Sequence, residues 1–310
     1  MGSIRLHPPG AIHFITNRCE HEQFLMLPNE EINQIIHDWL VKSHALHGTG
    51  IEIFAFNFLS NHFHILLRNN GDNLAQFMCY FQSNVAREIN AHWERRGKFF
   101  AREYDDILVD GDDAFVNRYC YVLSNAVKAG LVDTAEEWKG LNSYRHTLTG
   151  ENYQASVLNR SKYYNATRRG QDVLEEDFIE EFEMRLSVPP MWEDKSQAEI
   201  KSITLEYLEA AEHTYRARRE NGKPLGMPRV LAQKHTDSPL DPARSPRFKI
   251  LCFNKERKKE LLTAYRQFVG TYRSVLSGFR KAVANGKRPL VEWPPWSYPP
   301  SCYVSVPAAA

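Results

Sequence analysis

The chain has 310 residues, of which 43% are hydrophobic and 25% charged, which is typical of a folded globular protein. This composition excludes a wholly disordered chain, a collagen-like fibre and a disulfide-stapled miniature protein, and the length allows two domains. No run of about 18 apolar residues is present, and residues 1–10 lack the apolar core of a secretory signal. The five cysteines include no CxxC pair and indicate reduced thiols, so we expect a cytoplasmic protein without a membrane partner.

Charge is distributed unevenly along the chain. Residues 1–150 contain 13 basic and 18 acidic residues, residues 151–200 contain 6 and 11, and residues 201–310 contain 20 and 9. The last segment therefore has a formal charge of +11, although the whole chain has a net charge of only +1. A basic region of this size is typical of a surface that binds a polyanion such as nucleic acid, and a solvated basic helix face has the same signature.

The first 130 residues alternate between strand and helix patterns. In chain order they predict a strand at 11–18, a helix at 30–47, strands at 51–58 and 62–68 joined as a hairpin, a helix at 73–96, a strand at 106–109 and a helix at 114–129. Asn29, Asp72 and either Asp112 or Asp113 are suited to cap the three helices. This order predicts an α+β domain over residues 1–150, with an antiparallel sheet backed by helices.

Residues 151–310 have a different pattern, and we place the domain boundary near residue 150. Residues 172–186, 196–219 and 255–284 predict helices, whereas 222–246 is a Pro-rich irregular connection. We therefore expect a basic, mainly helical C-terminal region, with DNA binding as one candidate role. The aromatic residues of the Pro-rich tail would either stack on unpaired bases or pin the tail against the protein: Trp293, Trp296 and Tyr298.

Two histidines, His62 and His64, lie on the second strand of the predicted hairpin. Side chains at i and i+2 leave the same face of a strand, so both imidazoles can bind one divalent metal ion while Phe63 points into the core. A pair of solvated or core histidines has the same pattern.

Tyr121 and Asn125 are four residues apart on the last predicted helix, which places both side chains on one face. A phenol can act as a nucleophile, and an amide oxygen can complete the ligand set of a metal ion. Ordinary packing and hydrogen bonding of a half-buried helix face would account for the same pair. Tyr119, two positions earlier, is expected to point to nearly the opposite side.

These residues belong to five blocks of sequence that run from residue 12 to about residue 150: HFITNRCEHEQF, FAFNFLSNHFHILLR, FMCYFQSNVAREINAHWERRGKFFAREYDD, YVLSNAVKAGLV and WKGLNSYRHTLTG. In order and spacing, the blocks resemble the single-tyrosine HUH transposase family, in particular its REP-associated tyrosine transposase branch. The resemblance implies that residues 1–150 form a transposase domain with a ferredoxin-like (palm) sheet, and residues 151–310 lie outside it.

The resemblance also implies an activity, that of a metal-dependent endonuclease and strand transferase acting on single-stranded DNA at hairpin or palindromic elements. His62 and His64 would hold Mg²⁺ or Mn²⁺ with Asn125 as third ligand, and Tyr121 would form a 5′-phosphotyrosine link and release a 3′-hydroxyl. The metal would orient the phosphate and offset developing charge, and the covalent link would conserve the energy needed for rejoining. The implied partner is single-stranded or hairpin DNA, bound by a monomer or a homodimer.

The chain departs from the family pattern at Ser60, where Pro is common, at Ala126 and Lys128, where the family commonly reads NPVR, and at Asp105 and Asp106, where a basic residue is frequent. No catalytic group is lost, but the acidic pair weakens the expected DNA channel, so DNA affinity is expected to depend on the basic C-terminal region. Six basic residues nearer the site are candidates for phosphate contacts, and simple solvation is the alternative for each of them: Arg18, Arg68, Arg95, Arg96, Lys98 and Arg102. His13 and Asn17 are expected either to support the site or to be structural.

Three other functions are compatible with parts of this pattern. A domesticated DNA-binding protein would share the fold without cutting, but it would have no physical reason to keep the two histidines, the tyrosine and the asparagine together. A relaxase or replication initiator of the HUH type would carry other motif orders. A metal-dependent hydrolase that used only the two histidines would leave free 5′-phosphates and no protein–DNA link.

Overall fold

The computed structural model describes residues 4–219, 222–240, 248–287 and 289–300. Its central sheet has five strands in the order β2–β3–β1–β4–β7, and the two remaining strands form a separate antiparallel hairpin. In chain order the strands are β1 (Ala11–Arg18), β2 (Ile51–Phe58), β3 (His62–Asn69), β4 (Asp105–Val109), β5 (Tyr153–Leu158), β6 (Ile179–Met184) and β7 (Ile250–Leu251).

The first four strands form an antiparallel sheet with a ferredoxin-like order, in which β3 lies between β1 and β2. The strand β4 pairs with the other edge of β1, and the short β7 then adds to β4 in parallel. The predicted α+β class with an antiparallel sheet is therefore confirmed. The outer edge of this sheet is formed by β7, which comes from a segment far along the chain.

Nine helices are present in the described ranges: α1 (Glu30–His47), α2 (Leu74–His92), α3 (Asp112–Leu123), α4 (Asn125–Lys128), α5 (Tyr144–Thr149), α6 (Arg160–Arg168), α7 (Gln197–Ala217), α8 (Met227–Leu231) and α9 (Lys255–Ala284). The mainly helical character of the C-terminal region is confirmed. None of these helices is both long enough and apolar enough to span a lipid bilayer.

Helices cover both faces of the sheet because successive side chains of each strand point to opposite sides. Ile15 of β1 and Phe63 of β3 face α1 and α2, in a core that also receives β5 and β6. Phe14 and Leu66 lie on the other face, in a second core with α3 and α7. The sheet thus separates two packed layers, and the layer that contains α3 contains the predicted site.

Local sequence signals set several of the helix boundaries. The side chain of Asn29 accepts a hydrogen bond from the backbone N–H of Ile32, as expected of the residue that caps α1. Ser196 and Glu199 form a capping box at the start of α7. The helix α9 has the predicted bounds, and Asn254 caps it.

Several local predictions were wrong. Residues 172–186, expected to be helical, contain a short 3₁₀ turn followed by β6, because Ile179–Met184 alternates in burial and pairs with β5. The helix α2 ends at His92 rather than near residue 96, since Glu94 has a left-handed backbone (φ 50°). The capping position of α2 is Asn73 rather than the predicted Asp72, and the side chain there forms no capping hydrogen bond.

The helix predicted at 114–129 is interrupted at Ser124, which separates α3 from α4. The Ser124 hydroxyl donates a hydrogen bond to the backbone oxygen of Cys120 (2.5 Å), and such back-bonding favours bending. The helix also begins at Asp112, with Gly111 rather than an aspartate in the capping position. The interruption falls between Tyr121 and Asn125 and so shapes the predicted site directly.

Several segments beyond residue 150 pack on the first 150 residues. The strand β5 contacts α1, and α7 contacts α3, α4 and α5. Residues 296–298 also contact the first 150 residues. The backbone oxygen of Trp296 accepts a hydrogen bond from the backbone N–H of His7, and the Tyr298 hydroxyl donates one to the backbone oxygen of Asp72. The boundary near residue 150 remains a prediction. Within the predicted irregular connection, α8 is a short helix, and residues 241–247 lie outside the described residues.

Candidate active site

His62 and His64 project from one face of β3 toward α3 and α4. Their ring centres are 5.0 Å apart. Phe14, on the neighbouring strand β1, is stacked on His64 with 4.9 Å between ring centres. The period-two geometry of the strand therefore brings both imidazoles to the same place, as the sequence predicted.

The surroundings of His62 orient its ring and keep it uncharged. Its Nδ1 lies 2.7 Å from the amide oxygen of Asn61, and donation from Nδ1–H leaves Nε2 with a free lone pair. Burial, together with the charge of the nearby Arg18 guanidinium, lowers the pKa of His62 to about 4. A neutral imidazole is the form that binds a metal ion.

His64 and Asn125 both present buried polar atoms at this place. Neither ring nitrogen of His64 has a hydrogen-bond partner in the described ranges. The amide oxygen of Asn125 is also buried, and the Asn125 side chain lies within hydrogen-bonding reach of the His62 ring. Burial, followed by the charge of neighbouring cations, holds the pKa of His64 well below its usual value. Buried polar atoms without partners are costly unless a ligand satisfies them, and two imidazoles with an amide oxygen fit a divalent cation.

Tyr121 completes the group from the C-terminal turn of α3. Its ring meets that of His64 edge-to-face with 5.2 Å between centres, and it meets Phe14 at 5.7 Å. The side chain is only partly buried, so the phenol remains accessible. The structure thus brings together all four residues that the sequence singled out for catalysis and metal binding, although Ser124 interrupts the helix that joins two of them.

Tyr119 is placed quite differently from Tyr121. It is 1% exposed and packs against Phe115 and Trp192 in the core beneath α3. Burial raises the pKa of its hydroxyl, which disfavours the phenolate form. Of the two neighbouring tyrosines, only Tyr121 therefore faces the histidines with an accessible hydroxyl.

Two cations flank the Tyr121 ring, and the sequence analysis did not identify either as a site residue. The Lys128 ammonium is 4.5 Å from the ring centre and the Arg118 guanidinium is 4.9 Å from it. Across the described residues, neither forms an ion pair with a carboxylate. Arg118 precedes Tyr121 by three residues and Lys128 follows it by seven, and on a helix both spacings predict a position near the Tyr121 side chain. The two cations give the surroundings of the Tyr121 ring a positive charge.

Asn57 is a further residue that the sequence analysis missed. It is 1% exposed and pairs across the sheet with His64, and its side-chain N–H donates to the backbone oxygen of Val122 (3.0 Å). This bond ties the helix that carries Tyr121 to the sheet that carries the histidines. The only signal in the sequence was a lone amide near the end of an apolar strand.

The six basic residues expected to contact phosphate are spread over several environments. Arg18 is paired with His62 across the sheet and also forms an ion pair with Glu22 (3.0 Å). Arg68 lies four residues along β3 from His64 and forms an ion pair with Glu52 (3.2 Å). The others are at or after the end of α2, where Arg95 binds Asn90, Arg102 pairs with Asp105, and two side chains are exposed: Arg96 and Lys98. A phosphate-binding role for all six remains a prediction.

His13 and Asn17 lie on the opposite face of the sheet from His64. Asn17 donates to Gln82 of α2, and His13 contacts Asp106, so neither adjoins the candidate site. Asp106 likewise does not line that site, although the acidic pair was expected to weaken a DNA channel there. His13 and Asp106, together with His7, form a buried group that could hold a metal ion.

Comparisons with known proteins give partial structural similarity. No protein-family model matches the chain, and no curated protein matches it. The structure is similar over 48% of the chain to a REP-associated tyrosine transposase bound to a REP hairpin, covering 86% of that chain with a TM-score of 0.42 and 14% identity. It is also similar over 38% of the chain to a putative transposase from Deinococcus radiodurans R1, covering 95% of that chain with a TM-score of 0.28 and 15% identity.

Proposed function

We propose that this protein is a metal-dependent endonuclease and strand transferase of single-stranded DNA, with Tyr121 as its nucleophile. The observation that carries the proposal is the convergence of His62, His64, Asn125 and Tyr121 on one face of the sheet. In particular, the accessible Tyr121 ring lies 5.2 Å from a buried histidine whose two nitrogens have no hydrogen-bond partner among the described residues.

The two histidines and Asn125 are proposed to hold Mg²⁺ or Mn²⁺. When bound, the cation supplies charge stabilisation for the phosphate oxygens and for the leaving oxygen. Burial keeps both imidazoles neutral, so their lone pairs remain available at neutral pH. The contact from Asn61 to Nδ1 fixes the orientation of the His62 ring, which is the usual role of such a neighbour.

Tyr121 is proposed to attack a phosphodiester. A bond forms between its phenol oxygen and phosphorus, the bond from phosphorus to the 3′-oxygen breaks, and the phenol proton is lost while the 3′-oxygen gains one. Phosphorus remains a diester throughout, so the link can be reversed by another 3′-hydroxyl without an external energy source. Lys128 and Arg118 supply positive charge on either side of the ring while this exchange takes place.

The proposed substrate is a single strand that folds into a hairpin or palindrome. Single-stranded DNA leaves its backbone accessible to a partly buried tyrosine, and the +11 charge of residues 201–310 supports binding of a polyanion. The helix α9 carries eight basic and two acidic residues and supplies much of this charge. We propose that the C-terminal region contributes DNA affinity and that the first 150 residues contribute chemistry.

A denaturing gel tests the proposal. Purified protein is incubated with labelled hairpin-forming oligonucleotides, including repeats that flank its own gene, with and without Mg²⁺ or Mn²⁺. A metal-dependent adduct that survives detergent is expected in the wild type and in Tyr119→Phe, and it should be absent in Tyr121→Phe and His64→Ala. Tyr119→Phe is the matched control because it removes the same hydroxyl from a core tyrosine two residues away.

Two other outcomes would replace the proposal. DNA binding without an adduct under any metal would indicate a non-cutting DNA-binding protein. Cleavage without an adduct, unchanged in Tyr121→Phe, would indicate hydrolysis by the metal site alone.

A further inference from the structure

A second cluster of ligand-type side chains lies on the other face of the sheet from Tyr121. It consists of His7 in the N-terminal segment, His13 on β1 and Asp106 on β4. One potential ligand atom from each residue lies within 4.8 Å of those of the other two. All three side chains are buried, at 2%, 0% and 8% exposure. Because His13 precedes Phe14, whose ring is stacked on His64, the pleat directs the two groups to opposite faces.

The carboxylate of Asp106 is held between the two imidazoles. Its Oδ2 lies 2.5 Å from Nε2 of His7, and its Oδ1 lies 2.9 Å from Nδ1 of His13. A buried carboxylate requires a compensating positive charge close to it. Besides the charge of the nearby Lys249, two sources fit this geometry: a proton that converts one imidazole to imidazolium, or a divalent cation shared by the three side chains.

The outer nitrogens of the two rings distinguish these sources. His7 Nδ1 and His13 Nε2 are buried and have no hydrogen-bond partner in the described part of the chain. An imidazolium needs an acceptor for each of its two N–H groups, and a buried charged N–H without one is more costly than a neutral N–H. A metal ion compensates the carboxylate while both rings stay neutral, so the pattern of missing partners favours the metal.

The cluster is surrounded by further charged side chains, and its charge has to be counted together with theirs. Arg5 forms an ion pair with Glu103 (2.9 Å), and Arg102 forms one with Asp105. Lys249, on the segment leading into β7, interacts with Asp105 and Asp106. With Asp106 of the cluster itself counted, these three cations face three carboxylates, so the cluster and its surroundings together carry no net charge.

We propose that His7, His13 and Asp106 form a binding site for a divalent transition-metal ion of the Zn²⁺ class, separate from the candidate active site. Two imidazoles and one carboxylate fit Zn²⁺, Fe²⁺ or Ni²⁺, ions for which imidazole is a preferred ligand. The segment that contains His7 meets the segment of residues 296–298 at this site, because the backbone N–H of His7 donates to the backbone oxygen of Trp296 and the His7 ring contacts that of Tyr298 (5.2 Å between ring centres). A bound ion would therefore stabilise the packing of these two segments.

The test uses the full chain with the candidate active site disabled by His62→Ala and His64→Ala. This background is stripped with chelator and dialysed against chelator-buffered Zn²⁺, after which bound zinc is measured by elemental analysis and thermal unfolding is followed with and without the ion. We expect about one Zn²⁺ per chain and a melting temperature that rises with Zn²⁺ concentration. Adding His7→Ala should abolish both effects, and adding His21→Ala, at an exposed histidine outside both clusters, should abolish neither.

His7 is chosen because it precedes the first strand, so its loss is expected to leave the sheet folded, which circular dichroism checks. The addition of Asp106→Asn gives a second variant with almost the same shape and one ligand charge fewer, and it should also lose zinc. Zinc content and unfolding that are the same with and without His7→Ala would overturn the proposal and leave a purely hydrogen-bonded cluster. Since the readouts are metal content and stability in a background without the active-site histidines, they do not depend on whether the protein cleaves DNA.

Discussion

The Lys128 ammonium lies 4.5 Å from the centre of the Tyr121 ring, although Lys128 belongs to α4 and Tyr121 to α3. The interruption at Ser124 separates the two helices, so the contact crosses a bend rather than following one continuous helix face. A cation in this position would favour the negative charge that the phenol and the phosphate carry in the proposed reaction, and Lys128 has no carboxylate partner in the described ranges.

Replacing this charge should slow DNA cleavage without unfolding the protein. Lys128→Gln is expected to lower the rate of adduct formation about ten-fold or more, because a charge near the reacting groups is lost while the exposed side chain contributes little to packing. Single-turnover rates at saturating DNA measure the effect. Lys139→Gln is the matched control, since it removes the same charge from another exposed lysine. Equal rates for the two variants would exclude a role for Lys128 in the reaction.

The surface of α9 leads to a prediction about DNA affinity. Lys259, Arg266, Arg273 and Arg280 are seven residues apart, so they form one stripe of about 31 Å along the helix. All four are exposed, and none forms an ion pair with the residues that the structure describes. Changing all four to Gln should weaken DNA binding and reduce the slope of log K against log salt concentration by up to about 3, since each lost phosphate contact removes about 0.7–0.9.

A matched variant separates a specific stripe from general charge. It removes four exposed basic residues that are scattered over other elements: Arg168, Arg169, Lys201 and Lys234. This variant has the same net charge as the α9 variant. If the α9 stripe binds DNA, the scattered variant should lose less DNA affinity than the α9 variant and should show little change in the salt slope. The same change in both variants would show that only overall charge matters.

The partly buried position of His62 and its lowered pKa predict a pH dependence of stability. Burial lowers its pKa from 6.5 to about 4, so between these values the unfolded chain binds a proton that the folded chain does not. The contribution of His62 to stability is therefore present above about pH 6.5 and is lost as the pH falls toward 4. From about pH 7.5 to about pH 5, the free energy of unfolding of the wild type should fall by about 1–2 kcal/mol more than that of His62→Gln.

Urea denaturation in the presence of chelator measures both proteins at each pH. Comparing the two cancels every titrating group that they share, so the change in their difference reports His62. A difference that stays constant with pH would mean that His62 has the same pKa in the folded and unfolded chains, and that it is exposed to water.

Much of the sheet and of the candidate site was predictable because the relevant signals are local. The alternation of side chains along a strand places His62 and His64 on one face, and the capping side chain of Asn29 is enough to predict where α1 begins. The failures are non-local. The acidic segment that contains β6 has helix-forming composition, and it becomes a strand because β5 offers an edge to pair with. The contact of His7 with Asp106 joins residues 99 positions apart, which no sequence period could indicate.

The polarity of the covalent link tests the central proposal most directly. The same hairpin oligonucleotide is labelled at its 5′ end in one sample and at its 3′ end in another, and each is incubated with protein and Mn²⁺ before denaturing electrophoresis. Attack by Tyr121 through a 5′-phosphotyrosine predicts that only the 3′ label migrates with the protein, that the 5′-labelled fragment is released with a free 3′-hydroxyl, and that Tyr121→Phe gives neither product. A 5′ label on the protein, or cleavage with no label on the protein, would contradict it.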